Sequence, residues 1–401
     1  MSAICVPNNC TGCSACTAVC SKHALSMLRT ECGFYRPALD AEKCVDCGIC
    51  GKVCPILNDQ VESERILNTF MAKSRNATQR ERSSSGGIFP LLAQYILSEN
   101  GVVYAAKGIN AVYVKHTRID KAEALARTQG SQYVQSDLSD IFSAVRSDLK
   151  QGKKVLFAGT PCQIYGIKSF LGDSADKRLY TVDLVCHGVM SSNIPREYLN
   201  NIGHAPEKSE LKWTDKRTGW HQRSLVVSER KQGTSNELHS EIYNTSIIGQ
   251  LYQNNVCLNE CCYDCKYKTI HSAADITLGD YWGIEKICPD FDDNQGVSLV
   301  IIHSEQGQFL FGKIENQLSY QISSFEDATS GQYALTRSSE KKCDNDSAYE
   351  ILKTQGIMEL YRLTCHKTFF QKEKQNILQI NCAQWKANNL WTKAQNLQKI
   401  P

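Results

Sequence analysis

The chain has 401 residues, of which 45 are basic and 42 acidic, so its formal net charge is +3. This balance argues against a nucleic-acid-binding protein. No apolar run approaches the roughly 20 residues that span a bilayer, and the N-terminus lacks the features of a secretory signal. We therefore expect a cytoplasmic protein, in which 20 cysteines indicate metal ligation rather than disulfides.

The first 60 residues contain a repeated cysteine run. Each copy reads Cys-x-x-Cys-x-x-Cys-x-x-x-Cys; the second ends in Cys54-Pro55, whereas the first ends in Cys20-Ser21. In bacterial two-cluster ferredoxins, three cysteines of one run bind one 4Fe-4S cluster and the fourth binds the other cluster. One cluster is therefore assigned to Cys10, Cys13, Cys16 and Cys54. The other is assigned to Cys44, Cys47, Cys50 and Cys20. Zinc usually prefers two separated cysteine pairs, so it fits this pattern less well.

The segment between the two runs predicts a hairpin. Residues 24–28 and 35–39 have the character of short strands, and Gly33 permits the turn between them. Cys32 and Cys5 fit neither run, and we interpret both as bystanders. Residues 1–60 are thus predicted to be a two-cluster ferredoxin domain, followed by a linker over residues 61–80.

A serine- and glycine-rich loop opens the next segment. Residues 83–87 read Ser-Ser-Ser-Gly-Gly, and residues 88–97 have helical apolar spacing. A helix N-terminus of this kind offers free amides and a favourable dipole to an anion, which makes it a candidate phosphate site. The alternative is an ordinary helix cap with a flexible lead-in.

Strands and helices then alternate. Strands are predicted at 101–106, 111–116, 154–158 and 179–185, a helix over 137–150, and a second helix that runs from the turn at 159–163 on to Leu171. Two of these strands each deliver a cysteine at their carboxyl end, namely Cys162 and Cys186. Sites in α/β sheets are built at this edge, so we expect chemistry there.

Beyond about residue 210 the pattern changes to short strands and turns. A cysteine-rich segment holds Cys257, Cys261, Cys262 and Cys265, an apolar strand follows at 297–302, and the chain is helical beyond about 345. The predicted fold is α+β or α/β: a ferredoxin-like module, a mixed-sheet domain over 81–340, and a helical C-terminal extension over 341–401.

Five motifs occur in one order along the chain. They are Ser85-Gly86-Gly87, Gly159-Thr160-Pro161-Cys162-Gln163, Cys186-His187-Gly188, Cys262-x-x-Cys265 and Asp275-Ile276-Thr277-Leu278-Gly279-Asp280. Together they resemble the beta-subunit family of coenzyme F420 hydrogenases and dehydrogenases over most of residues 1–310. The resemblance implies an FAD-binding domain with an iron–sulfur cluster close to the flavin, and a deazaflavin or another small molecule as substrate. Some members are encoded among surface-polysaccharide genes. Gln132 stands where this family is expected to have a lysine, and Cys257 and Cys261 are additional.

A third 4Fe-4S site is predicted at Cys162, Cys186, Cys262 and Cys265. The alternatives are a structural zinc at Cys257, Cys261, Cys262 and Cys265, or buried inert thiols. The candidate FAD-binding residues are Ser85, Gly86, Gly87, Ser131, Ser136, Thr160 and Lys216, and His187 and His221 are candidate proton donors. No Gly-x-Gly-x-x-Gly follows a strand, so the sequence does not support a nicotinamide site.

These features lead to two functional hypotheses. The first is an oxidoreductase that passes electrons from ferredoxin or another redox protein through 4Fe-4S clusters to FAD and a small-molecule substrate, including the deazaflavin as one option. The second is a non-catalytic electron-transfer subunit that serves a partner enzyme. Neither hypothesis involves nucleic acid or a membrane span, and both are compatible with a homo-oligomer.

Overall fold

The computed structural model describes residues 9–58, 66–172, 177–231 and 234–365. Its strands are β1 (Leu25–Arg29), β2 (Tyr35–Leu39), β3 (Asn68–Ser74), β4 (Val102–Asn110), β5 (Tyr113–Ile119), β6 (Ser136–Asp137), β7 (Val155–Gly159), β8 (Leu179–Leu184), β9 (Ser209–Asp215), β10 (Ser224–Lys231), β11 (Thr234–Ile242), β12 (Ile276–Asp280), β13 (Ser298–Ile302) and β14 (Leu318–Ile322). Its α-helices are α1 (Ala15–Val19), α2 (Ile49–Lys52), α3 (Ala77–Arg82), α4 (Ile88–Ser98), α5 (Ile141–Lys150), α6 (Pro161–Leu171), α7 (Asn193–Asn201), α8 (Ile247–Gln253), α9 (Ile284–Ile287), α10 (Glu305–Gly312), α11 (Phe325–Ser330), α12 (Tyr333–Thr336) and α13 (Asn345–Thr364).

The N-terminal module has the predicted hairpin. Strands β1 and β2 pair antiparallel with Leu25 opposite Leu39, and Gly33 takes a positive φ of 80° in the turn. The short helices α1 and α2 each contain one cysteine of the two runs, Cys16 and Cys50. Cys5 lies outside the described residues.

A nine-stranded mixed sheet forms the centre of the molecule, in the order β14-β3-β13-β12-β8-β7-β4-β5-β6. The four neighbouring strands β12, β8, β7 and β4 are parallel to one another. Because β7 and β8 are adjacent, their carboxyl ends meet at one edge, where Gly159 pairs with Asp183. The mixed sheet and the helical segment near the C-terminus confirm the predicted fold class.

Both faces of this sheet are covered, which explains the nearly continuous apolar sequences of β7 and β13. Helices α4 and α10 pack on one face, where Leu92 and Phe311 lie in the same core as Leu156 and Val300. Helices α5 and α6 pack on the other face around Phe157. A separate three-stranded sheet, β11-β10-β9, shares a further core with α7, α8 and α13.

The linker predicted over 61–80 needs correction. Its residues 68–74 form β3, which lies between β13 and β14 within the large sheet, and Phe70 and Ala72 are buried there. The hydrogen-bond partners of β3 lie more than 200 residues further along the chain. The local sequence of β3 therefore gives little sign of a strand, because its stability comes from remote pairing.

The ferredoxin module is tied to the large sheet domain by buried polar contacts. Gln135 accepts a hydrogen bond from the backbone N–H of Tyr35 at 2.7 Å and donates to the carbonyl of Thr11 at 2.9 Å. Ser169 of α6 donates to the carbonyl of Val53 at 2.9 Å. These contacts fix the cysteine loops of the module against α6. None of the described helices has the length and apolar character needed to cross a bilayer.

Candidate iron–sulfur sites and the adjoining cleft

The structure brings together the cysteines predicted for the first cluster, which we call the inner site (Cys10, Cys13, Cys16 and Cys54). Three of the four are buried. Burial raises the pKa of the Cys13 thiol to about 12, and the Cys10 and Cys54 thiols raise it further. The backbone N–H of Gly12 donates to the sulfur of Cys10 at 3.4 Å. Thiols that are buried close together do not ionise readily by themselves. They suit an iron–sulfur cluster, because its iron binds each sulfur in place of the thiol proton.

The second predicted set, which we call the outer site (Cys20, Cys44, Cys47 and Cys50), lies nearer the surface. Cys47 is exposed and its three partners are half-buried. Burial raises the pKa of the Cys50 thiol, and the Cys47 and Cys20 thiols contribute in the same direction. The N–H of Ala24 donates to the sulfur of Cys20 at 3.3 Å. Cys20 thus lies with the second run, as the ferredoxin pattern predicts.

The cysteines of the predicted third site (Cys162, Cys186, Cys262 and Cys265) all line one cavity of about 60 Å³. Cys162 lies in the first turn of α6, directly after β7, and Cys186 follows β8. Burial raises the pKa of the Cys186 thiol to about 12, with Cys262 and Cys265 adding to the effect and Lys268 opposing it. Burial likewise raises the pKa of Cys162, and the other three thiols raise it further.

Two local features place these cysteines. Thr160 caps α6 in a reciprocal pair with Gln163, and its hydroxyl lies 3.1 Å from the sulfur of Cys162. Gly188 has φ 148°, and a Cβ on it would lie 3.2 Å from the Cβ of Cys262. A side chain at Gly188 would require Cys262 to shift by a few tenths of an ångström, and the positive φ itself favours glycine.

The two additional cysteines behave differently from each other. Cys257 is fully buried in the core of the three-stranded sheet and does not line the cavity, whereas Cys261 does. A zinc ion bound at about 2.3 Å would bring its sulfurs to roughly 3.8 Å from one another. Among the described residues, no three cysteine sulfurs lie within 4.8 Å of one another. The positions of Cys257 and the other three cysteines therefore do not fit the zinc alternative.

The walls of the third-site cavity also carry polar groups that lack a partner. The hydroxyl of Tyr267 and the side-chain N–H₂ of Asn259 are buried, line the cavity and make no hydrogen bond. Lys268 donates to the carbonyls of Cys186 and Ala334, so its positive charge lies beside the thiols. Buried donors need an acceptor. The cavity therefore suits an occupant rich in acceptor atoms and negative charge, as an iron–sulfur cluster is.

A larger cleft of about 420 Å³ adjoins this cavity. Thr160, Gln163, Cys186 and His187 line both spaces, so the third site and the cleft share a wall. The cleft collects most of the predicted cofactor-binding residues, namely Ser85, Gly87, Ser131, Ser136 and Thr160. Its volume lies within the range of about 300–1,000 Å³ that is typical of small-molecule sites.

The Ser85–Gly87 loop divides its roles. Gly87 lines the cleft with φ 82° at the start of α4, and no side chain caps this helix. Gly86, by contrast, faces the sheet: its N–H donates to the hydroxyl of Ser298 at 2.9 Å, and a Cβ would lie 2.4 Å from the carbonyl oxygen of Ala72. The N–H of Gly86 already has a partner, so the phosphate contact predicted for it is replaced by a packing role.

Lys216 does not line the cleft either. Its ammonium donates to the backbone carbonyls of Ser85 at 2.9 Å and Gln295 at 2.7 Å, and also to that of Arg80. Burial lowers the pKa of Lys216 to about 7, while the three carbonyls solvate the ammonium form. The observed contacts give Lys216 the task of holding the loop that carries Ser85, in place of the predicted direct contact with phosphate.

The two candidate proton donors lie apart. His187 lines both the cleft and the third-site cavity, and burial lowers its pKa. His221 lies outside the cleft lining, and its ring lies 2.6 Å from the carboxylate of Asp292 at the surface. Of the two, the structure places only His187 where a molecule in the cleft could meet it.

Several cleft residues were not predicted as site residues. Arg223 lies over the ring of Trp282 at 4.9 Å and pairs with Asp280 at 3.3 Å, and all three line the cleft. Tyr133 and Tyr252 also line the cleft, where their rings stack at 4.4 Å. Asp280 ends a recognised motif, and Tyr133 directly follows Gln132, a position that the family resemblance had marked, so both could have been found from the sequence. Nothing near Arg223 in the sequence marks that residue.

Comparison with known families agrees with this geometry. Residues 9–57 match the 4Fe-4S dicluster domain, and residues 152–328 match the family described as the C terminus of the coenzyme F420 hydrogenase/dehydrogenase beta subunit. Residues 152–328 thus form a domain of this family. The first match spans all eight cysteines of the inner and outer sites, and the second spans the four of the third site. The predicted resemblance, including the fused ferredoxin module, is confirmed.

A solved structure is similar at the level of the chain path. It is a chain of the F420-reducing [NiFe] hydrogenase complex from Methanosarcina barkeri, with 17% sequence identity and a TM-score of 0.46. The alignment covers 74% of the present chain and 95% of the hydrogenase chain. No curated protein matches the sequence.

Proposed function

We propose that this protein is an iron–sulfur flavoprotein oxidoreductase that carries electrons from a low-potential donor, such as ferredoxin, to a small molecule bound in the cleft. The observation that carries the proposal is the wall shared by the cleft and the four-cysteine cavity, formed by Thr160, Gln163, Cys186 and His187. A redox centre held by Cys162 and Cys186 would lie directly beside a molecule in the cleft. Such adjacency is what electron delivery requires.

The arrangement of the three cysteine sites supports electron transfer from the surface inward. The outer site has an exposed cysteine, Cys47, flanked by the exposed apolar residues Val45 (61% exposed) and Ile49 (43% exposed). The inner site is buried against α6, where Gly166 lies next to Cys13. Because α6 begins with Cys162 of the third site, one helix joins the inner site to the cavity beside the cleft.

FAD is the cofactor that the cleft favours. The uncapped N-terminus of α4, with Gly87 and Ser85 facing the cleft, suits a pyrophosphate. The aromatic wall of Tyr133 and Tyr252 suits a flat ring system. A bound flavin would supply the exchange between single electrons and the electron pair that most organic substrates need. His187 is the proposed proton donor, since it faces the same space.

The test is anaerobic purification of the full chain, followed by iron analysis, flavin extraction and reduction assays. We expect one FAD and about twelve irons per chain, four for each of three clusters, and flavin reduction by reduced ferredoxin but not by NADH. Full iron content without any affinity for FAD or FMN would overturn the flavoprotein proposal.

Two narrower alternatives follow from particular observations. The exposed apolar residues Val45 and Ile49 beside the outer site fit a protein partner, so a subunit that only relays electrons to a partner enzyme is the second candidate. Reduction of a small molecule by the isolated protein would exclude it. The family name favours the deazaflavin as a substrate of the cleft, which a direct assay with oxidised and reduced deazaflavin would decide. A role in surface-polysaccharide synthesis stays a prediction from the resemblance.

A further inference from the structure

Among the residues that line the third-site cavity, four have a buried side-chain polar atom without a hydrogen-bond partner, namely Thr11, His187, Asn259 and Tyr267. Asn259 and Tyr267 are the two that lie in the same segment of the chain as Cys262 and Cys265. Tyr267 is 5% exposed and Asn259 is fully buried, yet the phenol hydroxyl of the first and the amide N–H₂ of the second have no partner. Leaving a buried donor unpaired destabilises the folded protein. Two such groups facing one small cavity therefore point to an acceptor that occupies it.

The orientation of the Asn259 amide is fixed from outside the cavity. Its carbonyl oxygen accepts a hydrogen bond from the guanidinium of Arg36 at 2.6 Å. Arg36 has only donors, so the oxygen must face it and the N–H₂ group must face the other way. The N–H of Asn259 itself is bound to the carbonyl of Val189 at 2.9 Å, which holds the backbone at the cavity. Asn259 can therefore present a donor, and not an acceptor, to whatever fills the cavity.

Tyr267 is placed by packing rather than by hydrogen bonds. Its ring lies 4.7 Å from that of Tyr165 on α6, and it follows Cys265 by two positions. The ring thus lies along the wall that joins the third site to α6 and the inner site. Sulfur atoms of bound thiolates and inorganic sulfide are the acceptors that this wall would meet.

We propose that the Tyr267 hydroxyl and the Asn259 side-chain amide donate hydrogen bonds to sulfur atoms of the cluster held by Cys162, Cys186, Cys262 and Cys265, and so raise its reduction potential. This inference rests on the third cluster of the proposed function. A hydrogen bond to sulfur stabilises the more negative, reduced form of a cluster more than the oxidised form, so each donor favours reduction. Both residues are positioning residues, because they act on the cluster and not on the substrate.

The experiment uses the full-length protein purified anaerobically and the variants Tyr267→Phe and Asn259→Leu. An EPR-monitored redox titration gives the potential of each cluster, and the third cluster is identified as the signal that Cys162→Ser removes. We expect the equilibrium constant for one-electron reduction of the third cluster to fall about tenfold in each variant, which is a 59 mV shift to lower potential for a one-electron couple. The potentials of the inner- and outer-site clusters should not change.

A matched control is Tyr281→Phe, since Tyr281 is equally buried but its hydroxyl bonds to Ser323 at 2.6 Å, in a different core. It should leave all three potentials unchanged. A second readout is the exchangeable proton: after transfer to D₂O, the deuteron coupling to the third cluster should weaken in Tyr267→Phe.

The outcomes separate the two proposals. A third cluster that is present at its wild-type potential and proton coupling in both variants would overturn the hydrogen-bond assignment alone. A shift confined to an inner-site cluster would overturn it as well, because Tyr267 would then serve the other side of α6. Wild-type protein with about eight irons and no signal sensitive to Cys162→Ser would overturn the third cluster itself, and this inference with it.

Discussion

Gly166 of α6 lies directly against Cys13 of the inner site. A Cβ placed on Gly166 would lie 2.8 Å from the Cβ of Cys13 and 3.1 Å from its sulfur. Real Cβ atoms essentially never approach other atoms as closely as the first of these distances. The close approach lets the helix that carries Cys162 at its start touch the inner site further along, so one helix contacts two cysteine sites.

The first prediction concerns this contact. Alanine in place of a mid-helix glycine normally stabilises a helix by up to about 1 kcal/mol, but here the methyl group must displace Cys13. We expect Gly166→Ala to destabilise the protein by about 1–3 kcal/mol and to lower iron content through loss of the inner-site cluster. Thermal unfolding and iron analysis measure the two effects.

Gly312 of α10 is the matched control for that substitution. It is also a helical glycine, but nothing lies within 4 Å of the position its Cβ would take. Gly312→Ala should therefore keep full iron content and equal or exceed the wild-type stability. Wild-type iron content and stability in Gly166→Ala would contradict the contact described above.

The second prediction tests the ligands of the third site. Serine at Cys162, Cys186, Cys262 or Cys265 removes one thiolate from a set of four, so each variant should lose about four of the twelve irons while the inner- and outer-site clusters persist. Cys257→Ser should leave the iron count unchanged, because Cys257 lies in a separate core. Cys261 lines the cavity but is not in the predicted set, so retention of iron in Cys261→Ser is the sharper control. If Cys261→Ser lost iron and Cys262→Ser retained it, the ligand would be Cys261 and not Cys262.

Features of the fold and the site that depend on neighbouring residues could be predicted from the sequence, whereas features that depend on contacts between distant residues could not. The ferredoxin runs could be predicted from the spacing of their cysteines. The cysteines after β7 and β8 could be predicted because each directly follows an apolar strand. The donors of the third site could not, since Asn259 gains its role only through Arg36, which lies 223 positions away in the chain. Strand β3 was missed for the same physical reason.

The Ser85–Gly87 loop shows a second limit of prediction from sequence. The motif Ser85-Gly86-Gly87 correctly marked the start of α4 and one side of the cleft. It did not reveal that its two glycines face opposite ways, Gly86 toward the sheet and Gly87 toward the cleft. A sequence pattern can require small residues at both positions without showing which one a ligand needs.

The third prediction is a loss of stability in acid. Burial lowers the pKa of His116 to about 4 and that of His303 to about 4, whereas an unfolded histidine titrates near 6.5. Below pH 6.5 the unfolded chain therefore binds more protons than the folded chain, and stability falls as the pH falls toward 4. Burial raises the pKa of Asp183 from 3.8 to about 6. Between pH 3.8 and 6 the folded chain therefore binds an extra proton at Asp183, which offsets the loss of stability from one histidine.

Counted over these three groups, the net difference is about one proton between pH 4 and 6, or roughly 1.4 kcal/mol per pH unit. The lowered pKa of His187 adds to this loss of stability in the same direction. His303→Gln keeps a side chain that can hydrogen-bond to Thr277 but cannot titrate. We expect it to flatten the dependence of the unfolding free energy on pH over this range, relative to wild type. An unchanged slope in His303→Gln would show that His303 is not the neutral buried group described here.

The last prediction concerns the flavin. Gly87 has φ 82° at the N-terminus of α4, and the nearest atoms to its Cβ position lie at 3.5 Å, so a side chain there meets ordinary contacts and projects beside the cleft. We expect Gly87→Val to fold with all its clusters but to lose FAD, because the branched side chain occupies the space in which a pyrophosphate would approach the helix amides. Gly86→Val is a poor test, since its clash with the carbonyl of Ala72 would disturb the sheet itself. Gly203→Val is the matched control: its φ of 79° imposes the same backbone strain, but nothing lies within 4 Å and it does not line the cleft. Flavin-to-protein and iron-to-protein ratios, read beside the unfolding temperature, separate the two effects. If Gly87→Val and Gly203→Val lost the same small amount of stability and both kept FAD, the N-terminus of α4 would not be the phosphate site.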